Sequence, residues 1–348
     1  MYAPPASPGR TIPRWFWFVV GTVVLLLLAV GITAAVVFTR HFGGDRAQPG
    51  DFLYDLELVG LDGQAPAADA VERTRQVLLD RLRDAGVERP TATTTGAATL
   101  RMTGAKGSFD LMRQVLVPGH LTFRPVLGVT VPGNDDDDCK SGGPAPADPG
   151  GLRASAQKKL GETRWAAASA LKGPDDPGAR DIGGFNELTC EELGALPPLM
   201  QFAVPGVSCT ALGHREYVVL NRADAEPVTA CQDETTKYRL DVARLTAADL
   251  AGAKAAASPA TGQWTVTLHF TTAGQQRWTD LTRDTVGRQL AILVDGGVVS
   301  APEIQAVITG DAEISGGFSA GSARSLAANL NHGSLPTTVD AARPGTVS

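Results

Sequence analysis

Trp15–Phe38, WFWFVVGTVVLLLLAVGITAAVVF, carries no charged residue. A helix rises about 1.5 Å per residue, so a run of this length crosses a hydrocarbon core roughly 30 Å thick. Trp15, Phe16, Trp17 and Phe18 stand at one end, where an interfacial aromatic belt belongs. Arg10 and Arg14 precede the run, and Arg40 and Arg46 follow it, so basic residues alone do not orient it. The run is longer than the apolar region of about 7–15 residues in a cleaved signal peptide, and its small-residue site, ITAA, lies inside it. It therefore reads as an uncleaved signal-anchor. No later stretch is long enough to span, so the sequence predicts a single-pass protein of the cell membrane. Residues 1–14 become a cytoplasmic tail, 15–38 a transmembrane helix and 39–50 a Gly/Pro tether to an extracytoplasmic body.

The cysteines agree with that topology. Cys139, Cys190, Cys209 and Cys231 all follow the anchor. No CxxC spacing occurs and only five histidines are present, which argues against zinc. Two disulfides in an oxidising compartment are expected, in any of three pairings.

The body divides by pattern into three parts. In residues 51–127, DFLYDLELVG alternates as a strand, and Val71, Thr74, Leu78, Leu82 and Ala85 form one face of a helix ended by Gly86. ATLRMTG, SFDLMRQVLV and HLTFRPVL add a strand, a short helix and a strand, which gives a small α+β layer. Residues 128–235 are a Pro/Gly/Asp-rich, cysteine-containing insert of loop chemistry, with helix expected near 154–171 and a strand at REYVVLN. Residues 236–336 are the clearest. QWTVTLHF alternates strictly, TAGQQRWTDLTRDTVG forms a helix capped by Thr271 or Thr272, and a last helix, Ala320–Leu330, is capped by Ser319. Residues 337–348 read as a flexible tail.

No catalytic constellation emerges. Among His41, His120, His214, His269 and His332, none sits with a nucleophile, and no GxSxG, HExxH or Gly-rich phosphate loop occurs. Asp135–Asp138 lack the alternating ligands of a calcium loop. A net charge of −6 from 31 basic and 37 acidic residues offers no excess for nucleic acid. No enzyme activity, cofactor or metal is expected. Asp295, between the apolar runs of LAILVDGGVVS, reads as a turn residue. With Gly296 and Gly297 it makes an exposed hairpin tip joining Leu290–Val294 to Val298–Ser300.

One family resemblance gathers these pieces. Phe270, Gly274, Leu281-Thr282, LAILVDGGVVSAPEI, ISGGFS, ARSLAANL and the Gly-x-Leu-Pro of Gly333–Pro336, in that order, resemble the extracytoplasmic domain of the preprotein translocase subunit SecD. RLRDAGVERP and HLTFRPV are similar to that family's base subdomain. The resemblance implies an α/β-sandwich base and a βαβββα-type head. It also implies binding of unfolded secreted preproteins, with Sec translocon components as partners. SecD continues into further membrane spans after Gly-x-Leu-Pro. Here TTVDAARPGTVS follows, so no proton coupling by the chain itself is expected. The alternative is a cell-envelope interaction protein that turns the same fold to another partner.

Overall fold

The computed structural model describes residues 50–61, 63–107, 109–131, 139, 149–213, 224–233, 235–259 and 261–345. The expected membrane helix, the acidic run Asp135–Asp138, the REYVVLN strand, His41 and His214 lie outside the described residues. Among those described, no helix is long and apolar enough to cross a membrane.

The first layer is an antiparallel sheet, ordered β13-β1-β3-β2, of β1 (Gly50–Gly60), β2 (Glu88–Gly96), β3 (Thr99–Gly107) and β13 (Thr337–Gly345). Helices α1 (Ala68–Asp84) and α2 (Phe109–Val115) belong to the same layer. Tyr54, Leu56 and Leu58 alternate inward from β1 and meet Val71, Leu78 and Leu82 of α1. Gly86, at φ +91°, releases the chain just past the helix. Two strands here escape the sequence pattern. In β2 only Ala92 is buried, so ERPTATTTG shows no apolar alternation. The expected flexible tail is largely β13, which pairs with β1 from Leu53 to Gly60. Burial of Thr337 and its 2.9 Å hydroxyl contact with Thr74 anchor the strand where apolar patterning is weak.

The strand expected to complete this layer leaves it. β4 (Leu121–Thr130) instead lies central in a second sheet, ordered β11-β10-β4-β6-β5. That sheet also holds β5 (Val228–Gln232), β6 (Thr236–Leu240), β10 (Leu290–Val294) and β11 (Gly297–Ser300), and β4 itself pairs with β10, β6 and the short β7 (Leu245–Thr246). The uninterrupted apolar run of β10 follows from burial on both faces. Leu290 and Ile292 enter one core, and Ala291 and Leu293 another.

A third sheet, β12-β9-β8, joins β8 (Leu250–Ala257), β9 (Trp264–Phe270) and β12 (Ala312–Phe318). Ahead of β10, residues 149–213 hold α3 (Pro149–Ser169), α4 (Cys190–Gly194), α5 (Pro198–Ala203) and α6 (Cys209–Gly213). Two more helices, α7 (Thr272–Asp284) and α8 (Ala320–His332), pack with the second and third sheets. Thr271 and Ser319 cap them as the sequence predicts. Phe123, Phe270 and Trp278 form an aromatic cluster in this core, with Trp278 centred 5.4 Å from Phe123 and 5.3 Å from Phe270. In α8, Ala323, Leu326, Ala327 and Leu330 face that core, while Ala328 enters the core of the first layer.

The insert is more ordered than loop chemistry suggests. Its helices enclose a core of their own around Leu160, Phe185, Leu193, Leu196 and Met200. Disulfides Cys139–Cys190 and Cys209–Cys231 tie it internally and to β5. The buried Lys237 of β6 donates to the carbonyls of Gln201, Val204 and Val207 at 2.8, 3.2 and 2.9 Å. Burial pushes its ammonium down to about 8.

Gly274, one of the residues that carries the resemblance, has a packing reason. A Cβ there would lie 2.0 Å from the carbonyl oxygen of Asp249. Gly274→Ala is predicted to destabilise the protein by about 2 kcal/mol through overpacking. Urea unfolding measures it, and an unchanged midpoint would contradict the packing account.

Candidate functional site

The site is organised by the end of α8. Successive helical residues turn about 100°, so Asn329 and His332 share a face and Asn331 points roughly opposite. Asn329 donates to the carbonyl of Gln114 at 2.9 Å, and His332 Nε2 lies 2.7 Å from Asp84 of α1. Gly333, at φ +71°, ends the helix, and its carbonyl accepts from Arg81. The last turn of α8 is thus fastened to the first layer along one side.

Arg81 makes one of those contacts and joins it to the backbone that leads into β4. It is fully buried in the last turn of α1. Its guanidinium donates to Val115 and Val117 carbonyls at 3.0 and 2.6 Å and to Pro118 at 2.8 Å, besides Gly333. A planar fork of donors suits such convergent carbonyls. Gly119, at φ +78°, is glycine because a Cβ would come within 2.5 Å of Arg81 Nη2.

Asp295 belongs to this junction, contrary to the expected exposed tip. At the turn, Asp295 and Gly296 have φ +51° and +79°, and Gly297 begins β11. However, Asp295 and His120 exchange backbone contacts. The Asp295 N–H donates to the His120 carbonyl at 2.9 Å, and the carboxylate accepts from the His120 N–H at 2.7 Å. The residue is part exposed at the turn, but its carboxylate faces the chain. Burial pushes that carboxyl up, opposed by the His120 and Gly119 N–H groups and the charge of Arg81. The His120 ring turns to Asp224 at 3.0 Å, which also accepts from Arg124 at 3.2 Å.

On its other side, α8 faces an open cleft of about 530 Å³. His120, Asp224, Thr246–Ala248, Leu250–Gly252 and Leu330–Ser334 line it. One wall is the start of β8, which pairs with β9 on one side and, among the described residues, has no strand on the other. Asn331 reaches this edge. Its side-chain oxygen accepts from the Ala253 N–H at 2.7 Å, and its side-chain nitrogen donates to the Ala253 carbonyl at 3.1 Å. Among the described residues, no group of His, Cys, Asp and Glu could hold a metal ion.

Neither β8 nor Asn331 is singled out by sequence. LAGAKAAA lacks both the polar/apolar alternation and the β-branched residues that mark strands. The only available sign is negative: its abundance of Ala and Gly leaves a strand with little side chain to cover its edge.

Residues 225–337 match the family model described as "SecDF, P1 head subdomain". The chain carries a SecD-type head. Over 104 residues it is 44% identical to the protein translocase subunit SecD of Acidaminococcus fermentans, covering 30% of this chain and 25% of that protein. Over 150 residues it is 33% identical to SecD of Streptomyces coelicolor, covering 40% and 26%. The chain thus spans about a quarter of the length of these relatives. A crystal structure of SecDF in its super-membrane-facing form aligns over 93% of this chain and 35% of that one. Its TM-score of 0.46 and identity of 21% are too low to add to the sequence matches. The edge of β8 and Asn331 lie within that match, and the cleft is shared between it and two residues outside it, His120 and Asp224.

The raised Asp295 group sets a pH dependence. Where a folded carboxyl titrates above its unfolded value, its contribution is present below the ordinary 3.8 and lost as pH rises through the raised value. The stability difference between Asp295→Asn and wild type should therefore move in favour of the variant as pH rises across that window. Urea unfolding over a pH series checks it. A shift in favour of wild type would show that the pairing with Arg81 outweighs the cost of burial.

Proposed function

We propose that this chain serves protein translocation, as a membrane-held extracytoplasmic module that binds secreted chains before they fold. The observation that carries this reading is the cleft beside the strand-free edge of β8, lined by eleven residues of the segment that matches the SecDF head together with His120 and Asp224. Five of its thirteen lining residues are Ala or Gly, at Ala247, Ala248, Ala251, Gly252 and Gly333. Those small residues leave the β8 edge with little side chain to cover its peptide groups. Such an edge suits many sequences in extended form, and it is a poor match for a folded protein, whose backbone groups are already paired.

The first layer, β1 to β3 with β13, α1 and α2, would serve as the base that orients the head, and residues 15–38 would hold both at the extracytoplasmic face of the membrane. The names of the relatives supply the partners to test, namely the Sec translocon and its substrates. The expected interaction is weak and broad, because backbone recognition selects conformation over sequence.

The full chain should retain a reduced and alkylated model protein that cannot fold, and release the same protein in its native disulfide-bonded form. Crosslinking in intact cells should recover translocon subunits and nascent secreted chains. Failure to bind any unfolded protein, together with absence of both crosslinks, would overturn the reading. Crosslinks to other envelope proteins alone would favour the same fold serving another partner.

A further inference from the structure

The outer edge of β8 already holds one peptide-like group. Asn331 ends in a carboxamide, the same group that forms the peptide bond. It gives Ala253 both an acceptor and a donor, at 2.7 and 3.1 Å. That is the pair of bonds a neighbouring strand would give. Only one orientation of the carboxamide satisfies both, so the assignment of its oxygen and nitrogen is fixed by the chemistry.

Period-two geometry extends the observation along the strand. The N–H and C=O of Ala253 point away from β9, so those of Ala255 and Ala257 do as well. Beyond Asn331 the edge is free of strands among the described residues. The side chains do not obstruct it. Ala253 and Ala255 turn inward to the core, and Lys254 and Ala256 stand on the opposite, exposed face. Asn331 itself is exposed, so it can leave without opening the core. Its backbone stays in place, because Asn329, His332 and Gly333 are bonded to the first layer.

We infer that the outer edge of β8 is a strand-addition site for an extended segment of an unfolded protein, and that Asn331 is an internal placeholder displaced from Ala253 when the segment docks. This deepens the proposed function and rests on it. The occupant is a peptide backbone because the group now seated there is chemically a piece of one. An incoming segment pairs with Ala253, Ala255 and Ala257 and runs into the cleft beside Leu250–Gly252. Asn331 also keeps the edge from pairing indiscriminately when no segment is present, which is a hazard of open strands.

The test uses the full chain and a soluble peptide of alternating Thr and Val with Lys at both ends. Binding is read by fluorescence anisotropy, beside thermal unfolding of each variant. Asn331→Ala removes the internal competitor and should tighten binding about threefold or more, the scale of one or two net hydrogen bonds. Ala255→Pro removes an outward N–H without touching the β9 ladder, and should weaken binding about tenfold or more. Methylating every peptide nitrogen should abolish binding, whereas methylating alternate nitrogens leaves one edge competent and should preserve it. The peptide arm stands even if a variant fails to fold.

Unchanged or weaker binding by folded Asn331→Ala overturns the placeholder. Binding indifferent to full methylation and to Ala255→Pro overturns the strand-addition site while leaving the proposed function standing. Binding by no peptide and no unfolded protein removes both. Dimerisation of Asn331→Ala in place of peptide binding assigns the edge to a second copy and overturns the inference.

Discussion

Arg81 is a buried cation whose partners are largely backbone carbonyls, and the arrangement of the molecule depends on it. Its fork gathers the end of α2, the connection to β4 and the terminus of α8. Without it, the Val115, Val117 and Gly333 carbonyls would lose that donor, at a cost of about 1–3 kcal/mol for each left unsatisfied. The consequences spread outward. Gly119 must lack a side chain, and Asp295 lies close enough to feel the positive charge. The Gly-x-Leu-Pro segment is held as well, since Leu335 is buried in the first core and donates to Pro118 at 3.0 Å. A pattern that marks the family in sequence is here the seam between two layers.

The insert is secured differently. Its helices are short, and α3 is interrupted at Gly161, which adopts φ 76° and ψ 159°. Small elements of this kind hold together through local core and cross-links more than through helix propensity. Two disulfides, Lys237 with its three carbonyls and the 2.6 Å bond from Thr229 to the Pro198 carbonyl meet that need. The Cys209–Cys231 disulfide, Lys237 and Thr229 join the insert's helices to β5 and β6. They leave the β8 edge on a separate sheet.

How much was legible in the sequence depended on how each element is stabilised. Elements with apolar contrast were plain: α1 through Val71, Leu78 and Leu82, β9 through Val266 and Leu268, α8 through Leu326 and Leu330. The Asp295-Gly296 turn was readable because few residue pairs accept positive φ twice. The fate of its carboxylate was not, because His120 and Arg81 are remote in sequence and only the fold brings them near. β13 and β2 were lost for want of apolar residues. β4 was recognised as a strand but assigned to the wrong sheet, since pairing partners are set by tertiary contacts that local pattern does not carry. β8 was missed because Ala and Gly signal no strand, and that same plainness leaves its edge bare. The feature most useful for binding was thus the one with least sequence signal.

In this account the junction fixes α8, α8 positions Asn331, and Asn331 guards an edge meant for another chain. The most direct measurement is amide hydrogen exchange of the full chain, resolved at Ala253, Ala255 and Ala257, with and without an unfolded peptide. The free protein should protect Ala253 and leave Ala255 and Ala257 quick to exchange. With peptide bound, all three should become slow together. If the peptide binds and Ala255 and Ala257 exchange as fast as before, the edge is not where the chain docks.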